Sequence, residues 1–311
     1  MMLNIIKPVM LGHAIGDALG VPVEFCERKY LEQHQVTDMI GFGTYNVPAG
    51  CWSDDTSMSL CALKSLSKGI VDYDDIMNNF GKWLYHNHFT ATGIVFDVGN
   101  TCADATETYF DLNYPAIKCG KKDIKSNGNG SLMRINPFVL YACYNKLGDY
   151  RFANLIAEAS CLTHAHPISV NGCIIYSYIL KELIDNPSKE SVYKGLKNAK
   201  DYIGCSNVYS YYNRLFMDNI NEIDKSDIKS SGYVVDTLET AIWCLLTTND
   251  YKSCVLKAVN LGGDTDTIAA IAGGLAGALY GIESIPMDWL STLKKRNYIE
   301  DMCEQAYNVW R

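Results

Sequence analysis

Apolar residues recur at helical spacing along nearly the whole chain. From about Leu3 to Leu19, Ile6, Val9, Met10, Ile15 and Leu19 follow a 3.6-residue rhythm. The same rhythm restarts near Asp55, Asp72, Phe96, Ser131, Tyr150, Pro167, Ser191, Tyr233, Tyr251, Thr267 and Tyr298. Alternating apolar and polar runs bounded by hairpin signals do not appear. Glycine- and asparagine-bearing breaks, such as residues 41–50 and 120–130, read as loops between helices. No stretch rich in Pro, Gly or Ser separates two halves, so the pattern predicts an all-α fold with residues 1–311 as one domain.

Two of these helices carry glycine every fourth residue: Gly12, Gly16 and Gly20 in the first, Gly273, Gly277 and Gly281 in the other. Glycine inside a helix costs about 0.5–1 kcal/mol relative to alanine, so a compensating gain is expected. A ridge without side chains lets another backbone come close and draws helix ends together. A membrane dimer motif is the competing reading, but the apolar run Ile268–Ile282 has 15 residues. About 20 are needed to cross a bilayer.

Charge and cysteine usage narrow the function. The formal net charge is −8, from 27 basic and 35 acidic residues, and no dense Lys/Arg run is present. General binding to nucleic acid or to an anionic membrane is disfavoured. A phosphate-bearing substrate would need its charge met locally, by metal ions or backbone amides. The 12 cysteines are scattered without a Cys-x-x-Cys pair and sit mostly among apolar neighbours. They read as reduced core residues of a cytoplasmic protein. Lys7, His13 and Asp17 interrupt the apolar N-terminus, which reads as a core helix rather than a signal peptide. A compact monomer is the expected state.

The chemistry concentrates at two acidic clusters far apart in sequence. Gly50-Cys51-Trp52-Ser53-Asp54-Asp55-Thr56 leads into one helix, and Gly262-Gly263-Asp264-Thr265-Asp266-Thr267 leads into another. Helix capping explains one oxygen at each start. It does not explain two carboxylates beside hydroxyls, which repel unless a cation or proton compensates them. Hard oxygen-seeking ions such as Mg²⁺ or Mn²⁺ answer that need. Zinc would call for His and Cys, and the lone His86-Asn87-His88 reads better as surface or core.

In order along the chain, the motifs resemble the ADP-ribosylglycohydrolase family, including its dinitrogenase reductase-activating members. They are Gly12–Phe25, Trp52–Thr56, Phe96–Thr101, Gly128–Arg134, Thr163–Pro167 and Leu261–Thr267. The resemblance implies an orthogonal helical bundle with two Mg²⁺ or Mn²⁺ ions at its mouth. Ser53, Asp54, Asp55, Asp264, Asp266 and Thr267 would be the ligands, with Ser53 standing where the family more often has Thr. It further implies that Gly128, Asn129, Gly130, Ser131, Leu132 and Met133 cradle the diphosphate and distal ribose of ADP-ribose. His164 and Asn100 would contact the same ligand, while His166 reads as structural.

The implied reaction is metal-dependent hydrolysis at the anomeric carbon of the proximal ribose, where positive charge develops on the sugar. Asp55, Glu24 and Asp97 are the candidates for orienting water or moving a proton, without a ranking among them. The acceptor would be a protein side chain, such as arginine or serine, or another ADP-ribosylated molecule. The stretch Asp185–Ser231 is where acceptor specificity is expected. The competing functions are a two-metal phosphohydrolase and a non-catalytic ADP-ribose binder.

Overall fold

The computed structural model describes residues 5–217 and 219–311, so the expected helix start at Leu3 lies outside them. Among the described residues, fourteen α-helices follow one another. They are α1 Ile6–Gly20, α2 Arg28–Gln33, α3 Asp54–Leu66, α4 Tyr73–His86, α5 Asn100–Leu112, α6 Asn136–Tyr144 and α7 Asp149–Cys161. The series continues with α8 Pro167–Asp185, α9 Lys189–Ile203, α10 Val234–Leu246, α11 Tyr251–Val259, α12 Thr265–Tyr280, α13 Met287–Thr292 and α14 Arg296–Trp310. Among the described residues the only β pairing is in isolated bridges such as Phe42–Val47. The fold is all-α, as the periodicity predicts.

Several helices start where a polar side chain takes an orphan amide. Asp72 accepts from the Asp75 amide (3.0 Å), Ser188 from Ser191 (3.3 Å) and Asp250 from Ser253 (2.8 Å). Two starts differ from expectation. The helix expected near Phe96 begins at Asn100, because Asp97 adopts φ of 50° and Gly99 is the cap. The helix expected near Ser131 begins at Asn136, since residues 131–134 form a turn and Pro137 sits in the first turn of α6. The six-residue helices α2 and α13 are too short to show a period.

At the centre, α1 and α12 run antiparallel and are buried along almost their whole length. A Cβ on Gly12 would overlap the Gly273 carbonyl, one on Gly16 the Ala269 carbonyl, one on Gly20 the Asp266 backbone and one on Gly277 the Pro8 carbonyl. The glycine ladders are thus the surface through which two backbones touch. Gly281 departs from this scheme: nothing lies near it, and its φ of 76° ends α12. Tyr251 of α11 seals the contact by donating its hydroxyl to the Gly12 carbonyl (2.7 Å). Among the described residues no helix is long and apolar enough to cross a membrane.

Antiparallel packing sets the last turn of α1 beside the first turn of α12, which places Asp17 and Glu24 near Asp264 and Asp266. Gly16→Ala forces these backbones apart and is expected to lower unfolding free energy by about 1–3 kcal/mol, as overpacking does. Gly148→Ala, at a helix start with nothing within 4 Å, is expected to cost under about 1 kcal/mol. Denaturant titration of both variants checks the contrast.

Candidate active site

The first acidic cluster is held by a carboxylate that sequence reasoning gave no role. Ser53 is the N-cap of α3, its hydroxyl accepting from the Asp55 amide (3.4 Å). Beneath it, Asp17 of α1 accepts from the Ser53 amide (2.8 Å), the Thr56 amide (3.0 Å) and the Thr56 hydroxyl (2.6 Å). Both Asp17 oxygens are thereby occupied, and the start of α3 is fastened to the end of α1. The only sequence signal for Asp17 is an acidic residue inside an otherwise apolar helix.

The second cluster is aimed by its two glycines. Gly262 and Gly263 have φ of 71° and 74°, which glycine alone adopts without strain. A Cβ on Gly263 would also overlap the Ser230 carbonyl. The turn is pinned by Phe25 donating to Gly263 (2.7 Å), Gly263 to Cys26 (2.9 Å) and Asp264 to Ser230 (3.0 Å). The Arg28 guanidinium braces it from outside through the carbonyls of Leu261 (2.9 Å) and Ile228 (2.6 Å). Glu24, next to Phe25, is carried to the same place.

The result is a buried nest of carboxylates. Oxygens of Asp17, Asp55 and Asp266 lie within 4.8 Å of one another, and so do oxygens of Glu24, Asp264 and Asp266. Asp266 belongs to both groups. Four buried oxygens have no hydrogen-bond partner: Glu24 Oε2, Asp55 Oδ1, Asp264 Oδ1 and Asp266 Oδ2. Burial, then neighbouring carboxylates, pushes Asp55 and Asp266 well above the ordinary carboxylate range. Burial, followed by the Asp97 charge, raises Glu24 to about 9, and burial raises Asp17 to about 6. Orphaned acceptors in a crowded, anionic, dehydrated nest fit hard divalent cations. Ser53 and Thr267 donate to the other Asp55 oxygen (3.0 and 3.2 Å). Asp54 stands outside both groups, on the cleft side, accepting the Gly99 amide (3.3 Å).

Above this floor opens a cleft of about 320 Å³. Glu24, Asp54, Asp97, Asp264 and Thr267 line it together with Asn100, Gly128, Asn129, Gly130, Met133 and His164. Asn129 donates to Asp264 (2.9 Å) and Thr237 (3.0 Å). Ser131 and Leu132 are not brought to the cleft. Ser131 faces inward, its hydroxyl 2.9 Å from that of Ser160, and Leu132 is buried in the core. Gly128 and Gly130 do not use the left-handed backbone region. Space is what Gly130 supplies, since a Cβ there would sit 2.8 Å from Cys102 Sγ and 2.9 Å from the His164 ring.

Sequence reasoning missed Phe25, Gly99, Thr101, Cys102 and Lys125, all of which line the cleft. Phe25, Gly99 and Thr101 lie within recognised motifs and Cys102 adjoins one, and that placement was the available signal. Lys125 had none. No described residue of 185–231 lines this cleft, although Ser230 adjoins it by accepting from the Asp264 amide. Tyr209 and Phe216 stack on each other at 5.3 Å, and Leu215 and Phe216 border a separate groove with Tyr193 and Lys197. His86 and His88 are exposed at the end of α4, and all the cysteines are free.

Comparison with known proteins agrees with this geometry. The ADP-ribosylglycohydrolase family model matches residues 3–311. The chain is 34% identical to ADP-ribosylarginine hydrolase Tri1 of Serratia proteamaculans, over 97% of this chain and 78% of that one. It is also 34% identical to the ADP-ribosyl-[dinitrogen reductase] glycohydrolase of Rhodospirillum rubrum, over 91% and 88%. A solved structure, an ADP-ribosylglycohydrolase-related protein complex, superposes with a TM-score of 0.83 at 29% identity, covering 100% of this chain and 99% of that one.

The raised carboxyls fix the sign of a pH effect. In the metal-free chain, Asp17 and Glu24 bind protons more tightly folded (about 6 and about 9) than at their ordinary values of 3.8 and 4.5. Their contribution is full at low pH and is lost as pH rises through this window. With EDTA present, Tm is expected to fall steadily between about pH 5 and pH 9, and Mg²⁺ or Mn²⁺ is expected to restore it at the upper end. A Tm that stays flat or climbs over that range in EDTA would show that the nest is not crowded as described.

Proposed function

The chain belongs to the ADP-ribosylglycohydrolase family and is a hydrolase of that kind, releasing ADP-ribose from an acceptor; we propose that it holds two divalent cations, Mg²⁺ or Mn²⁺, and acts on ADP-ribosylarginine in proteins. The observation that carries the metal reading is the set of orphaned buried oxygens on Glu24, Asp55, Asp264 and Asp266. The arginine acceptor is supported by the relative named ADP-ribosylarginine hydrolase, which aligns with 97% of this chain. The free thiols fit a cytoplasmic protein. A monomer suffices for this reading, because every residue it uses comes from one chain.

The proposed roles follow from position. Asp55, Asp264 and Asp266 hold the cations, with Asp54, Ser53 and Thr267 flanking them and Asp17 fixing the scaffold. Bound there, divalent ions supply Lewis acidity and lower the pKa of a water molecule. The carboxylates offset the positive charge that develops on the ribose as the glycosidic bond breaks. Of the three carboxyls expected to move a proton, Asp55 lies in the floor, whereas Glu24 and Asp97 line the cleft and are within reach of a substrate. Glu24, raised to about 9, keeps a proton at neutral pH while no cation is beside it. Gly128, Asn129, Gly130, Met133, His164 and Asn100 receive the diphosphate and distal ribose. Ser131 and Leu132 support that wall from behind.

Incubation with an arginine-ADP-ribosylated protein and a serine-ADP-ribosylated peptide, in Mg²⁺, Mn²⁺ or EDTA, tests this. Metal-dependent release of intact ADP-ribose from arginine is expected, reduced about 100-fold or more in an Asp264→Ala, Asp266→Ala double variant. Release of phosphate or AMP would identify a phosphohydrolase instead. Tight ADP-ribose binding without turnover of either substrate would identify a binder.

A further inference from the structure

Arg134 is buried under the cleft wall and has no carboxylate partner among the described residues. It is fully buried over the Phe80 ring (5.0 Å to the centroid), and its Nε and Nη1 have no hydrogen-bond partner. Only Nη2 is engaged, donating to the Ala159 carbonyl (3.1 Å) and to the Thr163 hydroxyl (2.7 Å). Thr163 Oγ1 has one further partner among the described residues, the Nδ1 of His164 at 2.9 Å. The His164 ring lines the cleft, its Nε2 3.7 Å from where a Gly128 Cβ would stand.

Donor and acceptor bookkeeping gives this chain a direction. A guanidinium can only donate, so Thr163 Oγ1 accepts from Arg134. The hydroxyl keeps its own proton, and His164 Nδ1 is a stronger acceptor for it than the neighbouring Cys102 sulfur. Nδ1 is then an acceptor, and the ring proton of a neutral imidazole must reside on Nε2. We infer that Arg134 and Thr163 are positioning residues that lock His164 as a neutral Nε2–H donor facing the cleft. This rests on the reading that ADP-ribose occupies the cleft, and it adds which atom serves the ligand and why.

The lock has two consequences. A protonated Nε2 cannot ligate a cation, so His164 stays out of the metal centre although Gly128 and Asn129 bring it close. Its partner must accept a hydrogen bond, and the anionic phosphoryl oxygens of a diphosphate accept more strongly than ribose hydroxyls. Burial, reinforced by the Arg134 charge, lowers the His164 pKa to about 3, which keeps the ring neutral at working pH. The backbone is equally fixed: His164 donates to the Ser160 carbonyl (2.8 Å), and the Ser160 hydroxyl donates to the His164 carbonyl (2.8 Å). A donor so held is aimed before the ligand arrives.

The test is long-range ¹H–¹⁵N correlation on the ligand-free, ¹⁵N-histidine-labelled chain, with His164 assigned by its disappearance in His164→Asn. A protonated Nε2 and a bare Nδ1 are expected; a proton on Nδ1 overturns the inference, whatever the enzyme does. Thr163→Val is expected to weaken ADP binding about 10-fold while leaving adenosine binding unchanged, and Thr163→Ser to restore it. Equal ADP affinity in Thr163→Val, or equal loss for ADP and adenosine, also overturns it. If Thr163→Val does not fold, the tautomer of the unsubstituted chain still decides. Should the chain bind neither ADP nor adenosine, the ADP-ribose reading fails while the tautomer result stands by itself.

Discussion

Everything at the site depends on how closely the backbones of α1 and α12 approach. Side chains at Gly12, Gly16 or Gly20 would hold the two helices apart, because the opposing carbonyls occupy the space a Cβ needs. Their antiparallel contact brings the carboxylates of one helix end to the carboxylates of another. Asp17 then fastens α3 to the same point through the Ser53 and Thr56 amides. Thr265 completes the junction by donating its hydroxyl to the Gly20 carbonyl (2.8 Å). Residues more than two hundred positions apart are therefore placed by helix packing, not by a mobile loop.

That placement works against the stability of the bare chain. Buried carboxylates lose hydration, repel one another, and leave oxygens without donors. Asp17 escapes this because three donors satisfy it; Asp55 and Asp266 do not. The division is informative: the satisfied carboxylate holds the scaffold, and the orphaned ones are those whose oxygens fit a cation. The cleft also holds donors, with Asn129 reaching Asp264 and His164 fixed from behind by Thr163. An acidic chain thus combines a nest of carboxylates able to hold cations with hydrogen-bond donors in the same cleft.

Much of this was legible in the sequence because it is local. Four-residue glycine spacing announces a helix ridge, and the paired acidic motifs announce helix starts with more oxygen than capping uses. What was not legible depends on tertiary contact. Asp17 looked like an interruption of an apolar helix, since its partners lie 36 and 39 positions away. Ser131 and Leu132 sit in a motif whose neighbours line the cleft, yet a turn at 131–134 swings them inward. The glycines of Gly128–Gly130 suggested unusual backbone angles, whereas Gly130 is needed for its lack of volume beside Cys102 and His164. Lys125 carries no local signal.

Anomalous diffraction from crystals grown with Mn²⁺ and ADP-ribose tests the central claim most directly. The account predicts two anomalous peaks between the first turns of α3 and α12, with an Asp266 oxygen near both and the ligand's ribose in the cleft above. No peak at the orphaned oxygens of Glu24, Asp55, Asp264 and Asp266, or ADP-ribose bound away from them, would contradict it.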